Sequence, residues 1–210
     1  MAISIYDHQI SDDTHKLYNV NFDDDTIFTM VTDTPSYVDS WIDDIERIHR
    51  RRLRSLVVGL DVEWRPNFGR NRENPVATLQ LCVGRRCLIF QILYAPSIPQ
   101  SLVDFLENPN YTFTGVGIEY DVNKLIDDYN LGVSNVKDVR RLAADAYGER
   151  ELGNAGIKTL ASRILGREIH KPKHITMSRW DDEWLSPAQV QYACIDAFLS
   201  FEMGRVLISG

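Results

Sequence analysis

The 210-residue chain is poor in the features that place a protein in or across a membrane. No apolar run approaches the roughly 20 residues that a bilayer-spanning helix needs. The first residues, Met1-Ala2-Ile3-Ser4-Ile5-Tyr6-Asp7, lack the basic and then apolar layout of a secretory leader. The expectation is therefore an intracellular protein, of nucleus or cytoplasm, with no membrane partner. Cysteine is scarce as well: Cys82, Cys87 and Cys194 are an odd number without metal-site spacing, and each sits among apolar neighbours. They read as buried thiols in a reducing compartment. Positive charge is outnumbered, with Lys+Arg 23 against Asp+Glu 30, a net charge of −7 and a pI near 5.2. That balance argues against a protein that grips a polyanion over a large surface, but it leaves room for a local basic rim. Three clusters could form one: Arg50, Arg51, Arg52 and Arg54; Arg65, Arg70 and Arg72; and Arg167, Lys171 and Lys173 with His170 and His174. For the first, solvated charges at a helix end are the competing reading. No repeat, low-complexity stretch or linker divides the chain, so a single domain over residues 1–210 is expected.

What the chain does contain is ordinary globular composition, 44% hydrophobic and 25% charged. Short alternating apolar and polar pieces up to residue 34 read as strands. Thr34-Pro35 then opens a helix carrying Val38, Trp41, Ile42, Ile45 and Ile48 at helical spacing. Leu56 to Trp64, Ala77 to Val83 and Cys87 to Ile92 suggest consecutive antiparallel strands at one side of a sheet. Next come a short helix near Ser101 to Leu106, a strand from Tyr111 to Val116 and a helix from about Asp121 to Tyr129. This is the parallel α/β pattern, so the whole sheet should be mixed. From Val139 onward the chain reads as helices, over Val139 to Tyr147, Gly156 to Leu165 and Ser186 to Val206.

Carboxylates interrupt three of these apolar segments. In Leu56-Val57-Val58-Gly59-Leu60-Asp61-Val62-Glu63-Trp64, the strand period of two puts Asp61 and Glu63 on one face. Two such anions repel unless a cation lies between them, and hard oxygen ligands favour Mg²⁺ or Mn²⁺; a strand end reaching solvent is the alternative. In Gly115-Val116-Gly117-Ile118-Glu119-Tyr120-Asp121, two glycines break a strand and deliver Asp121 to a helix start, where capping alone would also explain it. In the last helix Tyr192 and Asp196 are four apart and share a face; Asp196, between Ile195 and Ala197, reads as partly buried and in need of a partner, a solvated stripe being the alternative.

Taken together, these motifs resemble the DEDDy branch of the DnaQ-like 3′-5′ exonucleases, closest within it to the Werner-type exonuclease domain and its plant-type relatives, with RNase D more distant. The first family motif corresponds to Asp61-Val62-Glu63-Trp64, the second to Gly115-Val116-Gly117-Ile118 with Asp121, Lys124 and Leu125, and the third to Tyr192 with Asp196. Ala77 to Cys82, Leu160 to Gly166, Ser178, Trp180, Leu185, Ser186 and Gln189 support the match, which spans about residues 55–206. Two positions depart from close relatives: Tyr120 replaces a small residue and Asn123 a bulky aromatic, which puts the shape of the substrate channel in question.

The resemblance implies an α/β, ribonuclease H-like fold with a mixed sheet of five to six strands flanked by helices. It implies hydrolysis of phosphodiester bonds from the 3′ end of nucleic acid, DNA or RNA, releasing nucleoside monophosphates. Asp61, Glu63, Asp121 and Asp196 would hold two divalent ions, Mg²⁺ or Mn²⁺, with Tyr192 orienting the attacking water. Trp64, Asn123 and Lys124 would line the substrate path, Trp64 by stacking on a base or as core packing. The partners implied are single-stranded or recessed 3′ ends. Without helicase motifs, coupling to unwinding would need a helicase or repair partner in trans, and a homo-oligomer would concentrate basic rims.

Overall fold

A computed structural model describes residues 3–11, 14–67 and 74–209. Three strands, β1 (Ile3–Asp7), β2 (His15–Phe22) and β3 (Asp25–Thr32), form an antiparallel meander. Helix α1 (Pro35–His49) follows, its Pro35 in the first turn where no amide donor is needed. The chain then lays down β4 (Leu56–Glu63), β5 (Thr78–Val83), β6 (Arg86–Phe90), α2 (Gln100–Leu106), β7 (Tyr111–Gly115), α3 (Ile118–Tyr129) and the short β8 (Val136–Asp138). Helices α4 (Val139–Tyr147), α5 (Ile157–Leu165), the single-turn α6 (Lys173–Thr176) and α7 (Pro187–Ser209) complete it.

The sheet has eight strands in the order β1-β2-β3-β6-β5-β4-β7-β8, more than the five or six expected. The surplus comes from the edges, where β1 pairs only with β2, and the three-residue β8 only with β7. A three-residue piece is too short to show a period. The antiparallel run β4-β5-β6 is the centre of the sheet rather than one side, because β3 adds in parallel to β6 and β7 in parallel to β4. That placement depends on long-range pairing, which no local pattern encodes. Strands β3, β4, β6 and β7 consequently run the same way, and the C-terminal ends of all four lie at one edge.

One hydrophobic core joins both faces of the sheet to the helices. Helix α7 is apolar around most of its girth and buried through its middle. It opens with a reciprocal cap: the Gln189 amide donates to Ser186 Oγ, and the Ser186 amide donates to Gln189 Oε1 at 2.9 Å. Its close approach to the sheet is set by Gly59 and Gly204. A Cβ on Gly59 would lie 2.1 Å from the Ala197 carbonyl, and one on Gly204 would lie 2.4 Å from Thr114 Oγ1. The three cysteines are buried free thiols. Among the described residues no helix is long and apolar enough to cross a membrane.

Candidate active site

Gly59 faces α7, so Asp61 and Glu63, two and four residues further along β4, face it too. Asp196 stands on α7 next to Ala197, the residue whose carbonyl presses on Gly59. One carboxylate oxygen from each of Asp61, Glu63 and Asp196 lies within 4.8 Å of the others. Two parts of the chain more than 130 residues apart in sequence are thus joined at the C-terminal edge of the central strand.

Asp121 arrives from the other side. The chain leaves β7 at Gly115, where a Cβ would sit 2.7 Å from the Leu60 carbonyl, and turns at Gly117 with φ of 77°. That tight passage sets the first turn of α3 beside the end of β4. The helix begins at Ile118, three residues before the expected start, with Gly117 as its cap and no side-chain capping bond. Asp121 is therefore inside the first turn and buried, and capping does not explain it. It is outside the group formed by the other three carboxylates, yet near enough for its charge to bear on Asp61 and Glu63.

The cluster is electrostatically uncomfortable. Burial and then the charges of Asp196, Glu63 and Asp121 push Asp61 well above the usual carboxylate range. Burial and Asp196 do the same to Glu63, and burial raises Asp121 to about 7. Asp61 Oδ2 is buried without a hydrogen-bond partner, as is Oε1 of Gln80, the residue opposite Asp61 on β5. Three converging hard oxygen donors, with a buried Asp61 oxygen that has no hydrogen-bond partner, are what a divalent cation would satisfy, so these residues fit Mg²⁺ or Mn²⁺.

Lys171 supplies the positive charge that the chain itself offers. Its Nζ lies 2.5 Å from Asp196 Oδ2 and 4.5 Å from the centre of the Tyr192 ring. Burial works against its charge, but Asp196 and Tyr192 outweigh it and hold the ammonium above the usual lysine range. Its direct contact with Asp196 was not legible in the sequence, where Lys171 stood only within a basic cluster. Tyr192 is itself buried, and burial followed by the Asp196 charge pushes its phenol up to about 12. Thr176 Oγ1 donates to its oxygen at 3.2 Å.

Around this centre, Trp64 continues β4 past Glu63 and packs against Tyr120, with ring centroids 5.6 Å apart. Tyr120 is 50% exposed, and Asn123, three residues on along α3, is exposed beside it. Lys124 is only 6% exposed; it pairs with Asp128 at 3.1 Å, and Asp128 accepts from the Val76 amide. It therefore braces the chain entering β5 while its ammonium lies 5.4 Å from the Trp64 ring centre. The basic clusters divide. Arg65 pairs with Asp181, whereas Arg70 and Arg72 lie outside the described residues. Arg167 is bound to Asp25, while His170 and His174 line a hollow of about 230 Å³ that also contains Tyr192. Arg50 to Arg54 precede the first residue of β4 and so stand at the sheet edge opposite the carboxylates.

The family described as 3′-5′ exonuclease matches residues 31–207. A 3′-5′ exonuclease of Arabidopsis thaliana is 34% identical over 151 residues, 71% of this chain and 52% of the plant protein. The mouse bifunctional 3′-5′ exonuclease/ATP-dependent helicase WRN is 33% identical over 154 residues, 73% of this chain and 11% of that protein. The chain thus spans about half of the plant relative and about a tenth of the mouse one. Among solved structures, the EXD2 exonuclease domain soaked in Mn and Mg is 25% identical with a TM-score of 0.50, over 85% of this chain and 88% of that one. Escherichia coli RNase D, 17% identical, superposes with a TM-score of 0.64 over 80% of this chain and 42% of its own, which marks the fold as ribonuclease H-like. The chain belongs to the 3′-5′ exonuclease family.

Proposed function

We propose that the chain is a divalent-metal-dependent exonuclease that hydrolyses phosphodiester bonds from the 3′ end of a nucleic acid strand, DNA in preference to RNA, and releases nucleoside monophosphates. The reading is carried by one observation, the convergence of one oxygen each from Asp61, Glu63 and Asp196 within 4.8 Å of one another. Asp61, Glu63 and Asp196 would hold the metal, and Asp121, on the flank of the trio, would help to hold a second ion. Bound Mg²⁺ or Mn²⁺ would supply Lewis acidity for the attacking water and for the departing 3′ oxygen.

The remaining roles belong to the protein. A phenol pushed up to about 12 keeps its proton at neutral pH, so Tyr192 is not the base. The Tyr192 hydroxyl is hydrogen-bonded to Thr176, Lys171 and Asp196, which fixes it beside the carboxylates, where it would orient the attacking water once Asp196 is drawn into metal coordination. Burial raises Asp196 above the usual carboxylate range, and Lys171, paired with it, offsets part of its negative charge. Trp64 and Tyr120 form an aromatic wall on which a terminal base can stack whatever its identity, with exposed Asn123 beside it. Lys124 supports that wall from beneath.

Matched DNA and RNA strands with a free or a phosphate-blocked 3′ end, incubated with Mg²⁺ or Mn²⁺ and with EDTA, test the reading. Ladder-like shortening of unblocked DNA only with metal is expected, RNA being shortened more slowly. An Asp196→Ala variant that melts cooperatively yet turns over at near the native rate would reject the assignment. A catalytically silent binding module is the other outcome, marked by no shortening under any condition; the filled carboxylate and tyrosine positions weigh against it.

A further inference from the structure

The arginine cluster that ends α1 lies far from the carboxylates. Asp61 and Glu63 are five and seven residues beyond Leu56 on β4, about 17 and 23 Å at ~3.3 Å per residue. Arg50, Arg51, Arg52 and Arg54 are all exposed on the turn between α1 and that strand. Among the described residues none of the four has a carboxylate partner, and Arg52 donates instead to the His49 ring nitrogen. In a chain of net charge −7, four neighbouring arginines without a carboxylate partner are a concentration of positive charge beyond what the C-terminal end of α1 calls for. A hollow of about 570 Å³ is lined by Arg47 through Arg52, and the next hollow continues from Arg52 to Arg205 on α7. Burial, Arg52 and Arg86 hold His49 below the usual histidine range, a sign of the positive surroundings.

We infer that this pole is a second nucleic-acid contact, binding the phosphates of a strand several nucleotides away from the end held at the carboxylates. It rests on the exonuclease reading for its choice of polyanion. Guanidiniums suit phosphate oxygens because the planar fork donates two parallel hydrogen bonds and is weakly hydrated. An anionic membrane is disfavoured, since Ile48 and Ile208 are single half-exposed side chains and not an apolar face that could insert. At ~3.4 Å per duplex step, a separation near 20 Å corresponds to about six nucleotides, and the path over the surface is longer. Strands shorter than that cannot reach both places.

The test replaces Arg50, Arg51, Arg52 and Arg54 together by Ala and, in a second variant, by Lys. Binding of a labelled single strand of about 40 nucleotides is followed by fluorescence anisotropy in EDTA from low to high salt. The Ala variant is expected to bind at least about tenfold more weakly, with a log–log salt slope shallower by about 3, and the Lys variant to recover most of the charge-dependent part. Cleavage of a strand of about four nucleotides should be unchanged in both. Native affinity and slope in the Ala variant would overturn the inference, as would loss of binding to phosphatidylserine vesicles with the long strand unaffected. Failure of the exonuclease reading shows separately, as a native protein that leaves the short strand intact.

Discussion

Replacing Asp61 by Asn should stabilise the metal-free protein and at the same time remove its response to metal. Asp61 shares a space 4.8 Å wide with Glu63 and Asp196. At an effective dielectric of ~20, two charges at that separation repel by about 3.5 kcal/mol. Lys171 relieves part of this, and uptake of a proton relieves more, so a net gain of about 2 kcal/mol is the working figure for Asp61→Asn at pH 8. For a domain of this size that is a rise of about 4–8 °C in Tm. The new amide can donate to the neighbouring carboxylates, so no orphaned donor is created.

The pH dependence has a definite sign. The folded-state pKa of Asp61 is raised, so its favourable contribution is present below its unfolded value and is lost as pH rises through the folded one. The advantage of the Asn variant must be greatest at alkaline pH and shrink toward pH ~4. Saturating Mn²⁺ should reverse the ranking, because a ligand at 100 times its Kd stabilises the native protein by ~2.7 kcal/mol and the variant by less. Scanning fluorimetry over this pH range, in EDTA and in Mn²⁺, reads all three effects. An Asn variant that melts at or below the native temperature in EDTA at pH 8 would refute the idea that the carboxylates are in mutual repulsion.

Tyr192→Phe should reduce kcat by about tenfold or more while costing about 1–3 kcal/mol of stability, since its hydrogen bonds with Thr176, Lys171 and Asp196 are lost. With the phenol up at about 12, native activity should show no inflection near pH 10; a pH–rate profile checks this. Gly59→Ala should cost at least ~3 kcal/mol, because the new methyl meets the Ala197 carbonyl at 2.1 Å. It should also blunt the Mn²⁺-induced Tm shift by moving Asp196 away from Asp61, and a native-like melt would discount the role given to this contact. Trp64→Ala should lower kcat/KM by the equivalent of ~1–3 kcal/mol on single strands, and equal values in steady-state assays would return Trp64 to simple packing.

Much of the molecule follows from local pattern. The period of two in β4 puts Asp61 and Glu63 on one face, and the four-residue spacing puts Tyr192 and Asp196 on one side of α7. Helix α4 spans Val139–Tyr147, matching the periodicity over those residues. Local pattern failed where the outcome depends on what lies opposite. The start of α3 at Ile118 is set by Gly115 pressed against β4 and by Gly117, left-handed and against Arg140, not by the acidic residue that marks a helix start in sequence. Lys124 looks like a free cation on paper, but its partner Asp128 and the Trp64 ring take it into the interior.

The sequence by itself therefore determined the element types, the kinds of ligand available and the faces they share, because those depend on residue spacing along a repeating backbone. Only the tertiary structure decided that Asp196 meets Asp61, that Lys171 rather than solvent neutralises it, and that Arg50 to Arg54 occupy the far pole instead of the rim. Each of these is a distance between segments remote in the chain. Such distances are set by strand order and by how closely Gly59 and Gly204 let α7 approach the sheet.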